Sequence, residues 1–396
     1  MKQGWEKSTL GESCDFFNGK AHEKAIHEDG NYTVVNSKFI SRDGKIKKYT
    51  REQMFPLFKN DIVMVMSDVP NGKALAKCYL IEKDNIYSLN QRICAIRSEN
   101  FIHKYLFYQL NRHKYLLSFN NGENQTNLRK NDILKTPLYI PSFDEQKRIV
   151  SKLDECFEAI DKARVNVEKN LNNAKELFQS QLNEIFSQKG DGWVEKTIID
   201  LCSHKSQIIG GPFGSNLKVK DYRDSGIPIL RLQNIGKGYF IDKSIKYISE
   251  QKAEELAYHS FKAGDIILAK LGIPIGKTCI VPKKFERGIV VADVVRIRPN
   301  KEEINYIFLK YFLNSDNSVT QLSSEIRGST RPRVNIGEVR GLKLSVPDIS
   351  EQVSIVEKID DLESQTQILE SNYQQELDAL DELKKSILEK AFNGEL

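Results

Sequence analysis

A segment that occurs twice constrains this chain more than any other feature. Tyr139-Ile-Pro-Ser-Phe-Asp-Glu-Gln-Lys-Arg-Ile-Val-Ser-Lys-Leu-Asp154 aligns with Ser345-Val-Pro-Asp-Ile-Ser-Glu-Gln-Val-Ser-Ile-Val-Glu-Lys-Ile-Asp360 at a constant offset of 206. Pro141 meets Pro347, Glu145-Gln146 meets Glu351-Gln352, Ile149-Val150 meets Ile355-Val356, and Asp154 meets Asp360. Weaker echoes lie upstream in the same order. Lys59-Asn-Asp-Ile-Val63 aligns with Ala263-Gly-Asp-Ile-Ile267, Gly72-Lys73 with Gly276-Lys277, and Ile96-Arg97 with Ile297-Arg298. Leu106, Tyr108, Leu110 and Asn111 align with Leu309, Tyr311, Leu313 and Asn314, and Gly4-Trp5 with Gly192-Trp193. Shared order with a slowly drifting offset marks a tandem duplication.

Charge divides each half again. Residues 1–142 hold 22 Lys+Arg against 15 Asp+Glu, and residues 193–342 hold 24 against 16, so these blocks carry +7 and +8. Residues 143–192 carry −2 and residues 343–396 carry −8, which leaves the chain at +5. Scattered lysine on solvated faces accounts for such a surplus in many proteins. Two similar basic blocks also supply what phosphate contact at two places needs.

The acidic blocks read as long helices. In the first, Ile149, Leu153, Phe157, Ile160, Arg164, Val167, Leu171, Ala174, Phe178 and Ile185 recur at three and four. In the second, Ile355, Ile359, Leu362, Leu369, Tyr373, Leu377, Leu380, Leu383, Ile387 and Ala391 do the same. A period near 3.5 over so many turns predicts a coiled-coil seam, and the repeat predicts an antiparallel pair. Ser142 and Ser350 are the expected helix starts, with Glu145 at capping-box spacing from Ser142. The basic blocks mix short β-branched runs (Tyr32–Val35, Ile62–Met66, Ile227–Leu232, Asp265–Ala269, Gly288–Val291) with helical patterns at Leu106–Leu117 and Ile307–Leu313. The fold class expected is α+β, with mixed α/β domains at 1–141 and 191–347 and helices at 142–190 and 348–396.

Several chemistries find no support. The start of the sequence lacks a secretory apolar run, and no stretch approaches the roughly 18 apolar residues of a membrane span. Cys14, Cys78, Cys94, Cys156, Cys202 and Cys279 show no CxxC spacing, which fits a reducing cytoplasm. Six histidines show no metal-ligand spacing, and no nucleophile–base set, Asn-Pro-Pro-aromatic motif or nuclease carboxylate pattern is present. Gly276-Lys277-Thr278 resembles the end of a phosphate loop, but Leu271 stands where that loop needs glycine. A strand-to-strand turn used in both halves is the better reading, with Lys73 and Lys277 free to face phosphate.

Two loops hold the side chains suited to reading bases. Gln125-Thr-Asn127-Leu-Arg129-Lys130 and Arg327-Gly-Ser-Thr-Arg331-Pro-Arg333 stand at equivalent places before each helix. Arginine matches guanine bidentately, and Asn and Gln match adenine. Arg42-Asp-Gly-Lys45-Ile-Lys47-Lys48 is a basic turn, either at DNA or solvated.

The layout resembles the specificity subunit of type I restriction–modification systems. The Pro-x3-Glu-Gln-x2-Ile-Val boundaries, the Gly-Trp openings, Gly211-Pro-Phe213-Gly-Ser215 and the ending Leu388–Leu396 carry the resemblance, which spans the whole chain. It implies two domains, each reading half of a split, asymmetric double-stranded DNA site, and antiparallel helices that dock two methyltransferase subunits. Restriction/translocase subunits complete such an enzyme. S-adenosylmethionine, ATP and magnesium belong to those partners, and this chain is expected to hold no cofactor or metal and to catalyse nothing. The resemblance also adds Gly211, Phe213, Ser215, Asn216 and Lys218 as DNA-contact candidates. The first domain departs from the pattern: Phe17-Asn-Gly-Lys20 sits roughly where Gly-Pro-Phe-Gly-Ser would, which makes Lys20 its candidate. Rival readings are a free-standing DNA-binding protein, a nuclease or methyltransferase with an unrecognised site, and a coiled-coil scaffold. The last leaves the basic blocks without a purpose.

Overall fold

The apolar runs at the centre of each half are strands buried on both faces. In the computed structural model, which describes residues 4–70, 72–188, 190–212, 214, 216–324 and 332–396, Ile62–Val65 is the third strand of a four-stranded antiparallel sheet. Its order is Asp15–Asn18, Ile93–Arg97, Ile62–Val65, Cys78–Leu80. Successive side chains of a strand point to opposite faces. Ile62 and Met64 therefore enter a core with Leu10, Tyr105 and Leu106, and Val63 and Val65 enter another with Phe39, Ile40 and Leu89. A smaller sheet holds Tyr49–Thr50, Tyr32–Val35 and Tyr87–Leu89, the last two parallel.

The second half repeats the plan. Its larger sheet runs Ile208–Gly210, Val294–Ile297, Ile266–Ala269, Thr278–Ile280. Ile266 and Leu268 face one core, and Ile267 and Ala269 face another. Its second sheet contains the parallel pair Ile227–Leu230 and Gly288–Val290. Each half is closed by its first and last strands: Glu6–Thr9 on Pro137–Ile140, and Val194–Thr197 on Lys343–Val346.

The weak echoes in the sequence turn out to be a shared polar frame. Asp61 accepts two 2.7 Å bonds from Arg97, and Asp265 accepts bonds of 2.7 and 2.6 Å from Arg298. Both aspartates are almost fully buried, at 4% and 2% exposure. Each also accepts a backbone N–H, from Phe58 or Lys262. Asn111 and Asn314 accept from the N–H groups of Cys78 and Thr278. Such bonds need particular side chains at particular places, so they survive when the apolar residues around them change.

Both long helices hold 45 residues, Phe143–Ser187 and Ile349–Asn393, about 68 Å each at 1.5 Å per residue. The chain divides into two compact units, Met1–Val167 with Gln375–Leu396, and Glu168–Gln374. Each unit takes part of both long helices. In the first unit the helix parts run antiparallel: Arg164 pairs with Asp381, Asp161 with Lys384 at 3.3 Å, and Arg148 donates to the carbonyl of Leu396 at 2.6 Å. Ile149, Leu153, Phe157, Ile160 and Ala391 share the core with Ile62, Met64 and Tyr105, and Phe392 packs on Tyr105. In the second unit Leu182 and Phe186 join Ile355, Val356 and Ile359.

The repeated boundary motif locks each helix to its domain. The side chains of Gln146 and Gln352 are fully buried; each donates to the preceding proline carbonyl, at 3.0 and 2.9 Å. Each also accepts a 2.7 Å bond from a helix-leading N–H, Ile102 or Asn305. About two turns on, Asp154 accepts from Tyr108 at 2.5 Å and Lys104 at 2.6 Å, and Asp360 accepts from Tyr311 at 2.5 Å. Gln146→Leu keeps the volume but leaves the Ile102 N–H and the Pro141 carbonyl unpaired. It is expected to destabilise the first unit by about 2–4 kcal/mol, read as a lower urea midpoint.

Four sequence expectations need correcting. Ser142 does cap the first helix, accepting the N–H of Glu145, but Glu145 turns to Arg148, and in the second helix Asp348 rather than Ser350 accepts the N–H of Glu351. Leu369 and Leu383 are exposed; Glu370 and Lys384 beside them are half-buried and pair with Lys175 and Asp161. The pattern at 106–117 is two helices, His103–Leu110 and Lys114–Leu117, because Asn111 leaves the helix to bond Cys78 and Arg112 takes a φ of 56°. Finally, Gly276-Lys277 corresponds to Ala76-Lys77, not to Gly72-Lys73. Ala76 and Gly276 donate to Val65 and Ala269, and both have positive φ, 54° and 77°.

Candidate nucleic-acid interface

Each unit sets two loops side by side through the same β-bridge. In the first, Ser67–Asp68 continues from the central strand and pairs with Thr126–Asn127, and Leu128 N–H donates to the Met66 carbonyl at 2.8 Å. In the second, Leu271 bridges Arg333, and Val334 N–H donates to Lys270 at 3.0 Å. Asn127 and Arg333 therefore occupy one structural position. Phe213, Ser215, Arg327 and Arg331 lie outside the described residues.

In the first unit the bridge borders an open groove of about 400 Å³. Gln125, Asn127 and Arg129, all singled out from the sequence, line it together with Asn121, Asn124 and Asp132. Gln125 donates to the Ser67 hydroxyl at 2.8 Å, while Asn127 is exposed and its amide makes no side-chain hydrogen bond with a described residue. Asn121 and Asn124 were missed. The run Asn120-Asn121-Gly122-Glu123-Asn124-Gln125 is their signal, four amides in six residues. Lys130 stands 5.5 Å over the Phe16 ring. Lys73 is exposed on the neighbouring loop, where Asp68 gathers the N–H groups of Val69, Ala74 and Leu75 and Arg112 donates to the Lys73 carbonyl.

In the second unit Arg333 is half-exposed and is held by Asp293 at 2.5 Å. Lys270 is buried beside it, and burial, then the Arg333 guanidinium, hold its ammonium below the ordinary lysine range. Lys277 is half-buried in the hairpin turn, and Thr278 is buried with its hydroxyl given to the Gly276 carbonyl. That hydroxyl is occupied, so the turn does not serve as a phosphate loop.

Gly211 takes a different role from the one expected. It is buried, and a Cβ there would fall 2.1 Å from the Val291 backbone. Gly19, its counterpart in the first unit, would meet Asn90 at 2.0 Å. Both glycines let one strand cross another closely, so Gly211 leaves the list of DNA-contact residues. Asn216 and Lys218 just beyond it are exposed, as is Lys20 beyond Gly19. Arg42, Lys45, Lys47 and Lys48 are exposed around a separate turn and form no ion pair with any described residue. The structure thus gathers Gln125, Asn127 and Arg129 in one groove, with Lys73 on the loop across the bridge, and leaves the 42–48 cluster apart from it.

Little here is poised for bond-making. Burial pushes the thiols of Cys14, Cys94 and Cys279 up to about 12, which keeps them neutral and poorly nucleophilic. Among the described residues no His/Cys/Asp/Glu group is arranged to hold a metal ion, and no helix is long and apolar enough to cross a membrane.

Comparison with known proteins gives one answer. A family profile described as the type I restriction modification DNA specificity domain matches residues 2–172 and again 190–379. The MjaVIII specificity subunit of Methanocaldococcus jannaschii is 22% identical over all of this chain and 94% of its own length. The EcoBI specificity subunit of Escherichia coli is 25% identical over 78% of this chain and 69% of its own. Among solved structures, a chain from a study of complex assembly in the type I R-M system matches with a TM-score of 0.75. It is 19% identical and covers all of this chain and 99% of its own. The HsdS subunit of Thermoanaerobacter tengcongensis matches at 0.56, with 18% identity over all of this chain and 98% of its own.

Proposed function

The chain belongs to the type I restriction modification DNA specificity domain family, and from that premise we propose that it gives a restriction–modification complex its DNA sequence specificity. It is a non-catalytic DNA-reading subunit. Each recognition domain reads one half of a bipartite, asymmetric site in double-stranded DNA. The long helices dock two methyltransferase subunits, with restriction/translocase subunits beyond them in the cytoplasm. S-adenosylmethionine, ATP and magnesium are bound by those partners, and this chain supplies none of their ligands.

The observation that carries the reading is one frame with two different sets of exposed residues. The buried Asp–Arg pair, the Gln lock and the Asp–Tyr pair repeat in both units, whereas the bridge residue is Asn127 in one and Arg333 in the other. Two copies of a reader with changed reading surfaces suit a site whose halves differ.

Two assays test this. The purified single chain, incubated with DNA and magnesium or with S-adenosylmethionine, is expected to neither cut nor methylate. Expressed with its neighbouring genes, it is expected to direct methylation to one split motif in host DNA. Chemistry by the lone chain, or methylation without a split motif, would overturn the reading.

A further inference from the structure

The bridge position does more than show that the halves are related. We propose that Asn127 and Arg333 are specificity-determining residues, Asn127 reading an adenine and Arg333 a guanine, each in its own domain's half-site. This rests on the reading above that each domain reads one half-site.

The placement comes first. Both residues sit on the segment that bridges the chain just past the central strand, and the next residue in each case donates its N–H back to that chain. A side chain on such a bridge is fixed at its root by the sheet, and its tip projects beyond it. Asn127 is exposed, and Arg333 has 53% of its side chain exposed.

The chemistry of the surroundings then separates base from phosphate. A phosphate site wants donors and positive charge alone. The groove around Asn127 instead collects amides, each both donor and acceptor, and includes the carboxylate of Asp132, which repels phosphate. An amide can accept from adenine N6 and donate to N7 at once. Asn127 makes no side-chain hydrogen bond within the described protein, so its donor and its acceptor are both open to a base edge. The phosphate contacts that set register fall to Arg129 at the groove and to Lys73 and Lys130, which are exposed outside its lining.

Arg333 meets the opposite requirement. Its guanidinium is held by Asp293, which is itself one-third exposed. One end of a planar fork fixed by a carboxylate leaves the remaining N–H groups aimed as a unit, the geometry that guanine O6 and N7 accept. Asp293 is a positioning residue in this account.

The test uses the full chain assembled with its co-expressed partners. Motifs are mapped by sequencing modified bases, and affinity is measured on duplexes in which each base pair of the motif is varied. Asn127→Ala is expected to lower discrimination at one adenine of the first half-site by about tenfold to a hundredfold, with the second half-site unchanged. Asn127→Arg should shift that position toward guanine, and Arg333→Asn should shift one position of the second half-site from guanine toward adenine. Asp293→Asn should weaken the same guanine preference without changing its position. An unchanged motif in Asn127→Ala, or equal weakening on every sequence, would overturn the proposal, since the latter marks a phosphate contact. So would a second half-site without guanine. Loss of any split motif in the unaltered complex would instead remove the premise, so the two failures are distinguishable.

Discussion

Asp265→Ala is expected to cost the second unit about 3 kcal/mol of stability. The carboxylate is 2% exposed and accepts two bonds from Arg298 and one from the Lys262 N–H. Removing it leaves a guanidinium and a backbone donor without their acceptor. Breaking a buried pair from one side typically costs about 3–5 kcal/mol. The lower end applies because 29% of the Arg298 side chain reaches water. Asp61→Ala should do the same to the first unit, where Arg97 is similarly exposed. The two tryptophans allow the units to be followed separately: Trp5 lies in the first and Trp193 in the second. In a Trp5→Phe background, the urea transition seen by Trp193 should fall in Asp265→Ala and stay in place in Asp61→Ala. A shift equivalent to less than about 1 kcal/mol would mean that water takes over the role of the lost carboxylate.

Replacing residues 1–141 with the matching segment of a relative is expected to change one half of the methylated motif completely and the other not at all. The graft keeps the long helix, so its success depends on contacts across the junction. Gln146 needs the N–H at position 102, and Asp154 needs the hydroxyl of Tyr108 and the amine of Lys104. A donor with tyrosine at the equivalent of Tyr108 should assemble. One with phenylalanine leaves Asp154 without that donor and should lose stability as well as change specificity. Sequencing modified bases in host DNA reads the result. A change in both half-sites would show that the domains are not independent readers.

The duplication was legible because its most persistent residues solve problems of the backbone. Gln146 and Gln352 satisfy buried N–H and C=O groups that no apolar residue can satisfy, so they stand out as identities. The hairpin turn was misaligned for the converse reason. It needs a positive φ, and Ala76 supplies it in one unit where Gly276 does in the other, so glycine was the wrong marker. The helix seam was read from leucines, but Leu369 and Leu383 are exposed while the neighbouring Glu370 and Lys384 are half-buried in ion pairs. Periodicity cannot separate neighbouring positions once charged stems pack in a seam. The candidate loops were legible only as composition. Exposed amides such as Asn121 and Asn124 settle nothing in the fold, and their gathering around one groove depends on a bridge between residues 67 and 127.

The division of the chain sets an order of assembly during synthesis. The second unit is one continuous stretch, Glu168–Gln374, and has all its parts once that stretch has emerged. The first unit is split. Its sheets and helices are translated first, yet Ala391 is fully buried in its core, Phe392 packs on Tyr105, and Glu389 pairs with Lys114. The domain that is made first is therefore the last to be finished. Until residues 375–396 arrive, it exposes the apolar face around Tyr105 and Ile149 that they later cover, a period in which a nascent chain is open to aggregation and to chaperones.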